Sequence, residues 1–536
     1  MPRLPHGRVN ITMDTLREAR DTAADSAEET NLGFAVVKSP DAKRFDYLFP
    51  QLQENPDDLL PVTPDTVKNL IELGKEMRDT GGDDSGDAEI SAAYTYFGQF
   101  VDHDITLGTT SSSAQNLLSP DLKPLELEEI RETTKNIRTA TFELDSVYNH
   151  PAPRDQENRS KMRIGRVTPL FAKEKPFLRP DDKADENDLP RRPKRFDPKK
   201  DRAALIGDAR NDENTIIAQL HLAFLLAHNE LVEQGETYEG ARKLLRQHYQ
   251  HIVIHDFLKQ VADPQIVDDI LANGPQFYNP GAGNDFFLPM EFSVAAYRFG
   301  HSMVRDDYDF NLNFNRSEDR PATLRFLFTF TALSGQLGFG EEEDRPTLPE
   351  NWIIEWENFF DPQGGAPRSR ARRFDTKLVE PLQELRDELG NPLKDCARDA
   401  ESGEISARLA VRNLLRGYLL RMPTGQAVAR ALGEEVLTED EITAGSASPE
   451  QVRVLLQGGF LDRTPLWYYI LVESAVRAEG QHLGPVGSRL IAEVIVGLIQ
   501  RSPSSILAQQ DWKPSLGQQQ GKFDLPDLLK FAGVLT

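Results

Sequence analysis

The chain has 536 residues, 39% of them hydrophobic, and its 62 basic and 86 acidic side chains give a formal net charge of −24. Such a surface repels polyanions, so nucleic acid and anionic membranes are not expected as partners. The single cysteine, Cys396, excludes an intramolecular disulfide framework and any multi-thiolate metal site.

The first part of the chain, residues 1–85, is predicted to be an extension that wraps a single large domain at 86–536. The extension is polar with short apolar islands, and it ends in the loop signal GGDDSGD at 81–87. The first eight residues lack the apolar centre of a secretory signal. We therefore expect a cytoplasmic protein, or one exported without a cleavable signal.

The secondary structure is predicted to be mainly α. Helical periodicity is clear in four segments, at 214–231, 241–262, 406–421 and 485–500. Signals for β-hairpins are scarce, and the best short strand candidates lie near the N-terminus and at 309–313. No uninterrupted apolar run reaches the roughly 18 residues needed to cross a bilayer, so no transmembrane segment is expected.

The segment YFGQFVDHDIT, residues 96–106, places an amide, two carboxylates and an imidazole within an aromatic and aliphatic run. Buried polar groups are costly unless they have partners. On a helix, Gln99 and His103 would share one face, and Asp102 would point about 100° away. The pattern indicates either a functional site or an unusually costly piece of core.

Oxygen-bearing side chains alternate at Thr139, Thr141, Glu143 and Asp145. In an extended or looped segment they would point one way, as an oxygen-ligated cation such as Ca²⁺ requires. Alternation is also typical of a half-exposed strand. On this segment alone the strand is the favoured interpretation.

The segment GDARNDEN, residues 207–214, precedes the first long helix. Its Asp and Asn residues are ordinary helix caps, and Glu213 in the first turn suits the helix dipole. Helix capping does not explain why position 210 is an arginine. An arginine on the surface is, however, common and needs little explanation.

Three of the ten histidines, His248, His251 and His255, have the spacing of one helix face. Such a row could bind a metal in a helical bundle, but no Glu-x-x-His pair accompanies it. Structural histidines are therefore favoured here, and His221 and His228 receive the same interpretation.

His301 differs from the other histidines because Gly300 removes side-chain bulk next to its imidazole. A flat ligand could then approach the backbone, and Arg298 offers a cation three residues earlier. The competing interpretation is a buried histidine with a hydrogen-bond partner.

Together these motifs resemble the animal-type haem peroxidases of the peroxidase–cyclooxygenase superfamily, and the chain looks like a bacterial member. The resemblance rests on QFVDHD at 99–104, Arg210 with Glu213, RFGH at 298–301 and NLLR at 413–416. The likeness runs from about residue 85 to the C-terminus, and it implies one helical haem-peroxidase domain.

The resemblance implies catalysis on one side of a haem b. His103 would be the distal histidine, Arg210 the distal arginine, and Gln99 would face the peroxide and any small anion. On the other side, His301 would be the proximal iron ligand, and Asn413 would accept its second N–H.

The resemblance also implies how the haem is held and where a calcium ion binds. Arg298 and Arg416 would hold the haem propionates, and Asp102 and Glu213 would form ester links to haem methyl groups. The implied calcium ligands come from two segments: Asp104, Thr139, Thr141, Glu143 and Asp145.

Three positions depart from the family pattern. Asn214 stands where some members have a haem-linked methionine, so no sulfonium link is expected. Glu143 stands where Asp is usual, which puts calcium affinity in question. Arg298 stands where a cyclooxygenase needs a tyrosine, and Tyr297 is displaced by one position, which argues against fatty-acid oxygenation.

The implied function is that of an oxidoreductase, a haem peroxidase. It would reduce hydrogen peroxide and oxidise a small organic donor, a halide or thiocyanate through a high-valent iron–oxo intermediate. Two alternatives stay open, a haem-dependent fatty-acid oxygenase or dioxygenase and a non-catalytic haem-binding protein. A mere scaffold would not need Gln99, His103 and Arg210 together.

Overall fold

The structure is a computed structural model, and it describes most of the chain from residue 43 onward. The described ranges are 10–12, 43–79, 86–110, 117, 119, 121–136, 138–148, 154–170, 177–180, 183–193, 202–278, 287–328, 331, 347–385, 405, 407–517, 519 and 521–536. Cys396 and the apolar island at 32–37 lie outside these ranges.

The described residues are mainly helical, as predicted. The α-helices are Pro64–Glu76, Ala93–Ile105, Leu127–Thr133, Asp145–Tyr148, Thr215–Glu233, Tyr238–Ile252, Leu258–Val261, Pro264–Asn273, Leu324–Leu327, Leu409–Leu419, Gly425–Leu432, Glu439–Gly445, Pro449–Gly458, Leu466–Arg477, Pro485–Gln500 and Leu525–Phe531.

Shorter helices and strands connect these elements. The 3₁₀-helices are Pro50–Gln53, Pro56–Asp58, Ala209–Asp212, Ala296–His301, Arg316–Glu318, Glu350–Trp352, Trp356–Asn358 and Glu380–Gln383, and the π-helices are Val253–Phe257 and Glu291–Ala295. The strands are Asn10–Thr12, Lys43–Asp46, Asp87–Ser91, Gly108–Thr110, Thr134–Asn136, Leu288–Pro289, Asp307–Tyr308, Ala322–Thr323 and Arg370–Arg372.

Within the described ranges, the strands form three small sheets. The largest has five strands in the order Asn10–Thr12, Gly108–Thr110, Thr134–Asn136, Lys43–Asp46 and Leu288–Pro289. Two antiparallel pairs complete the set, Asp87–Ser91 with Arg370–Arg372 and Asp307–Tyr308 with Ala322–Thr323. The strand predicted at 309–313 therefore lies slightly earlier in the chain.

The four predicted long helices are present. The second is divided, because the π-helix Val253–Phe257 separates Tyr238–Ile252 from Leu258–Val261. The strand favoured at 139–145 is wrong, because Ala140, Phe142 and Leu144 have φ angles of 58°, 56° and 53°. A strand cannot alternate through the left-handed region, so the segment is a buried loop that runs into Asp145–Tyr148.

Helix Thr215–Glu233 forms part of the core around the site. Among the described residues it is the one helix long and apolar enough to cross a membrane, but 78% of its most apolar window is buried. A core helix passes the same test. It packs against helix Ala93–Ile105, where the ring of Phe224 stacks on Phe100 at 4.6 Å.

The part of the predicted extension that is described packs on the large helical core. Helix Pro64–Glu76 contacts Leu409–Leu419 and Pro449–Gly458, and Val67, Leu70 and Leu73 are buried there. The division of the chain at residue 85 stays a prediction.

Candidate active site

A cavity of about 160 Å³ lies where helix Ala93–Ile105 faces the turn Ala296–His301. The site residues predicted from sequence that line it are Gln99, Asp102, His103, Arg210, Glu213, Arg298, His301 and Asn413. The structure thus brings together residues that are distant in sequence. Arg416 is not in this lining, although its charge acts on Arg298.

Most of the segment at 96–106 lies on helix Ala93–Ile105, which turns three side chains toward the cavity. Gln99, Asp102 and His103 all lie on Ala93–Ile105 and line the cavity. The amide of Gln99 is held at both ends, because its Nε2 donates to Glu213 at 2.9 Å and its Oε1 accepts from Asn214 at 3.2 Å.

The imidazole of His103 is oriented by a buried amide. Its Nδ1 lies 2.7 Å from Oδ1 of Asn211. Because an amide oxygen can only accept, Nδ1 carries the proton and Nε2 is the basic nitrogen of the neutral ring. This is the form that a general base requires.

Arg210 is anchored beside His103 by an acid and by backbone carbonyls. Its Nη2 donates to the carbonyls of Thr106 at 2.7 Å and His103 at 3.1 Å, and both Nε and Nη2 donate to Asp208. Burial disfavours the charge, but Asp208 raises the pKa of Arg210. The guanidinium is therefore a fixed positive charge at the cavity wall.

The carboxylate of Asp208 forms salt bridges with two arginines, Arg210 and Arg138. Burial alone would raise its pKa, but Arg210 and Arg138 hold the pKa of Asp208 well below its ordinary value. Its side chain also caps the short helix Ala209–Asp212 through the N–H of Arg210. The capping role expected from sequence is present, and the salt bridges add to it.

The carboxyl group of Asp102 lies between two cations. Burial raises the pKa of Asp102, whereas Arg210 and Arg298 oppose that shift. A carboxyl group whose pKa is raised is more readily protonated, and so less costly to bury at the edge of a cavity.

On the opposite wall, His301 ends the 3₁₀ segment Ala296–His301. Its Nδ1 lies 2.9 Å from Nδ2 of Asn413, and Oδ1 of that amide accepts from Arg298. The contact is where the sequence predicts it, but its direction is reversed, since Asn413 donates. Arg298 causes the reversal because it occupies the amide oxygen.

A buried cluster of arginines lies next to this pair. Burial and the nearby charges of Arg416 and Arg412 lower the pKa of Arg298 to about 9. Its buried Nη2 makes no hydrogen bond with the described residues. Like charges held together in a low-dielectric site favour an anion that would bind between them.

Gly300 leaves room next to His301. A Cβ atom built at Gly300, which lines the cavity, would meet no atom within 4 Å. The indole of Trp467 packs edge-on against the His301 ring at 6.4 Å, and its Nε1 donates to the carbonyl of Arg298. The imidazole therefore has a fixed orientation and open space beside it.

The predicted calcium residues fall into two groups. Asp104 faces away from the cavity and accepts from the N–H groups of Leu144 and Ser146 at 3.3 and 3.2 Å. Asp145 accepts from the N–H and hydroxyl of Thr139 at 2.9 and 2.8 Å. Burial and the charge of Asp145 raise the pKa of Asp104 to about 7, so the two carboxylates lie close together.

Glu143 belongs to a different cluster. Its Oε2 pairs with Arg246 at 2.9 Å, and its Oε1 accepts from the hydroxyls of Ser502 and Ser504. Within the described ranges, no group of three or more His, Cys, Asp or Glu side chains could hold a metal ion.

The row His248, His251 and His255 does not form a metal site of three imidazoles. His248 donates from Nδ1 to Leu244 and accepts at Nε2 from the N–H of Ser515, as a structural histidine does. His228 is also structural, with partners Tyr148 and Ser160.

Sequence reasoning missed several residues of the site. Asn211 was given no role, because an amide near a helix start is explained by capping. Arg412 and Trp467 lie next to or within motifs of the resemblance, but both are far along the chain from Arg298, and their motifs do not indicate that they act on it.

Residues 122–334 match the family model described as "Animal haem peroxidase". This match covers less than half of the chain, and it indicates similarity to the animal haem peroxidases.

Two curated relatives have peroxidase names. The chain is 24% identical to Peroxidasin of Drosophila melanogaster over 478 residues, which cover 76% of this chain and 28% of the relative. It is 26% identical to "Peroxidase-like protein" of Margaritifera margaritifera over 262 residues, 40% of this chain and 32% of the relative. The chain thus spans less than a third of these relatives.

The structure resembles Peroxidase A from Dictyostelium discoideum with a TM-score of 0.53. The two share 15% sequence identity, over 89% of this chain and 90% of the other. At this identity the likeness shows a shared fold.

Proposed function

We propose that the protein is a haem peroxidase that reduces hydrogen peroxide and oxidises a small organic donor, a halide or thiocyanate. The observation that carries the proposal is one cavity that is lined by His103 and Arg210 and also by His301. The family match supports the same reaction class.

The residues present fit a haem. The unmet Nη2 of Arg298 and the charges of Arg416 and Arg412 suit the two carboxylates of such a ligand. The open space at Gly300 suits a flat ring next to His301. When bound, the haem would be held by His301 and would supply the redox-active iron at which peroxide could be reduced.

Haem binding would change the hydrogen bonds of Asn413. Ligation through Nε2 of His301 requires the proton on Nδ1, so Asn413 must then present its oxygen. A propionate that draws Arg298 away would release this oxygen and allow the amide to turn. His301, Asn413 and Arg298 would therefore respond to the ligand as one unit.

On the other wall, His103 would move one proton. Peroxide must lose a proton to become a good ligand, and its outer oxygen must gain one to leave as water. Nε2 of His103 would take the first proton and give it to the departing oxygen, so the ring returns to its starting form. Arg210 would stabilise the negative charge that develops, because its anchored guanidinium needs no reorganisation.

Two finer features belong to the proposal. Asp102 and Glu213 both line the cavity, which supports ester links to the haem. Asp104 and Asp145, with hydroxyl and backbone oxygens of 139–145, would hold a calcium ion behind His103. The three left-handed residues of that loop support this, since such strain clusters at ligand sites.

The test is a titration of the purified chain with haem, followed by one equivalent of hydrogen peroxide with thiocyanate, bromide or a phenol. We expect a Soret band, peroxide consumption and oxidised donor, and haem that resists extraction into acidified solvent afterwards. A Soret band without turnover would favour a haem-binding protein. Oxygen uptake that requires a fatty acid would favour an oxygenase.

A further inference from the structure

A chain of three buried side chains extends from His103 into the core. Nδ1 of His103 lies 2.7 Å from Oδ1 of Asn211, and Nδ2 of Asn211 lies 2.9 Å from Nδ1 of His221. Asn211 and His221 are both 0% exposed. Neither lines the cavity, so any role they have in the reaction acts through His103.

The orientation of the Asn211 amide decides the tautomer of His103. With Oδ1 toward His103, the ring must carry its proton on Nδ1 and keep the lone pair on Nε2. If the amide were reversed, Nδ2 would face the ring, and the neutral imidazole would carry its proton on Nε2. Only the first arrangement leaves Nε2 able to take a proton.

His221 supplies the partner that holds this orientation. Its Nδ1 accepts from Nδ2 of Asn211, and burial lowers the pKa of His221 to about 3, so the ring stays neutral and keeps a lone pair. Phe100 packs edge-on against the His221 ring at 6.0 Å and stacks on Phe224. Because Phe100 and His103 share one helix, this packing places His221 against the helix that carries His103.

Packing alone does not account for an imidazole at this position. Nε2 of His221 is buried and makes no hydrogen bond with the described residues. A leucine or phenylalanine would fill the space without leaving a polar atom unmet. The imidazole is explained by the acceptor that it presents to Asn211.

We propose that Asn211 and His221 are positioning residues that keep His103 in the tautomer able to take a proton at Nε2. The inference rests on the proposed peroxidase function. The bond from Nδ1–H to Asn211 is present before Nε2 takes the proton from peroxide and after it gives that proton to the departing oxygen. The ring therefore need not reorient between the two steps.

The first test measures the tautomer and needs no haem. The chain has ten histidines, so magic-angle-spinning NMR of protein labelled with ¹⁵N-histidine can separate their ring signals, and the His103→Gln variant assigns His103. We expect Nδ1–H in the wild type and in His221→Gln, whose amide oxygen can still accept from Asn211. His221→Leu should give a mixture of tautomers.

The second test uses the haem-loaded protein and the rate of cyanide association, in which HCN loses its proton to the base in the cavity. His221→Leu and Asn211→Leu should slow association by about 10-fold or more, and His221→Gln should restore it. Should His221→Leu fail to fold, Asn211→Leu removes both bonds and serves instead.

Two results would overturn the inference: Nε2–H on wild-type His103, or a wild-type cyanide rate in the folded leucine variants. Failure of the proposed function is distinguishable, because it appears as the absence of a Soret band or as a Soret band without peroxide turnover. The tautomer measurement does not depend on that band.

Discussion

Asn413 points its amide nitrogen at His301, with Nδ2 and Nδ1 2.9 Å apart. In this arrangement Nδ1 accepts, so the proton of the neutral ring lies on Nε2. Arg298 sets the arrangement by donating to Oδ1 of the same amide. If His301 ligates an iron as proposed, its proton must move to Nδ1, and a propionate that drew Arg298 away would allow the Asn413 amide to turn and accept it.

Arg298→Met should therefore have opposite effects on two quantities. Without haem, loss of a buried charge beside Arg416 and Arg412 should raise the free energy of unfolding by about 1 kcal/mol or more. Haem affinity should fall by about 10-fold or more, because a propionate loses its partner. Denaturant unfolding and haem titration check the two effects, and a variant that binds haem as the wild type does would contradict the assignment.

His103→Leu should keep the haem and lose peroxide reduction. The side chain removed is the proposed base, and general acid–base catalysis contributes a factor of about 10² to 10⁴. Stopped-flow mixing of the haem-loaded variant with peroxide measures the rate. His228→Leu, a change at a structural histidine outside the cavity, is the control for general damage. A His103 variant with the wild-type rate would remove this residue from the mechanism.

Substitutions at two acidic residues, Asp145 and Glu143, distinguish a proposed calcium ligand from a neighbouring residue that forms a salt bridge. Asp145→Asn should release calcium and lower haem retention, because the residue next to His103 loses its clamp. Glu143→Gln should keep calcium but lower the free energy of unfolding by about 2 kcal/mol, since it breaks the pair with Arg246. Metal analysis and thermal unfolding measure both. Retention of calcium by Asp145→Asn, or complete activity of the wild type after chelation, would count against the site.

The stability of the haem-free protein should depend on Glu473. Burial raises the pKa of Glu473 to about 7 from the ordinary 4.5, despite bonds from the N–H groups of Val486 and Gly487. Between these values the folded state holds a proton that the unfolded state has lost, so stability falls as pH rises through this range.

Glu473→Gln should remove this part of the pH dependence. Relative to the wild type, the variant should gain about 1–3 kcal/mol between pH 4.5 and pH 8. Denaturant unfolding at the two pH values measures the gain. If the free energy of unfolding differed between the two proteins by the same amount at both pH values, Glu473 would be shown to titrate normally.

The sequence predicts the helices and the main side chains of the site because both rest on local periodicity and short motifs. The spacing of Gln99 and His103 predicts that they share one face if their segment is helical, and the segment does form helix Ala93–Ile105. For the segment 139–145, taken alone, the sequence favours a strand, and this is wrong. Alternating side chains occur both in a strand and in a loop in which every second residue has a left-handed backbone.

Other features depend on contacts between distant parts of the chain. Glu143 is drawn to Ser502 and Ser504, more than 350 residues away. The reversal of Asn413 depends on which atom Arg298 occupies. The spacing of residues in the sequence does not show which atom of an amide a distant side chain will bind. The tautomer of His103 depends on the Asn211 amide in the same way.

The central claim is that His301 would ligate a haem in the cavity opposite His103. It is tested most directly by the absorption spectrum of the ferric haem-loaded protein, compared between wild type and His301→Ala. We expect one haem per chain in the wild type, an altered Soret band in His301→Ala, and recovery of the wild-type band when imidazole is added. A His301→Ala spectrum identical to the wild type, with equal haem affinity, would contradict it.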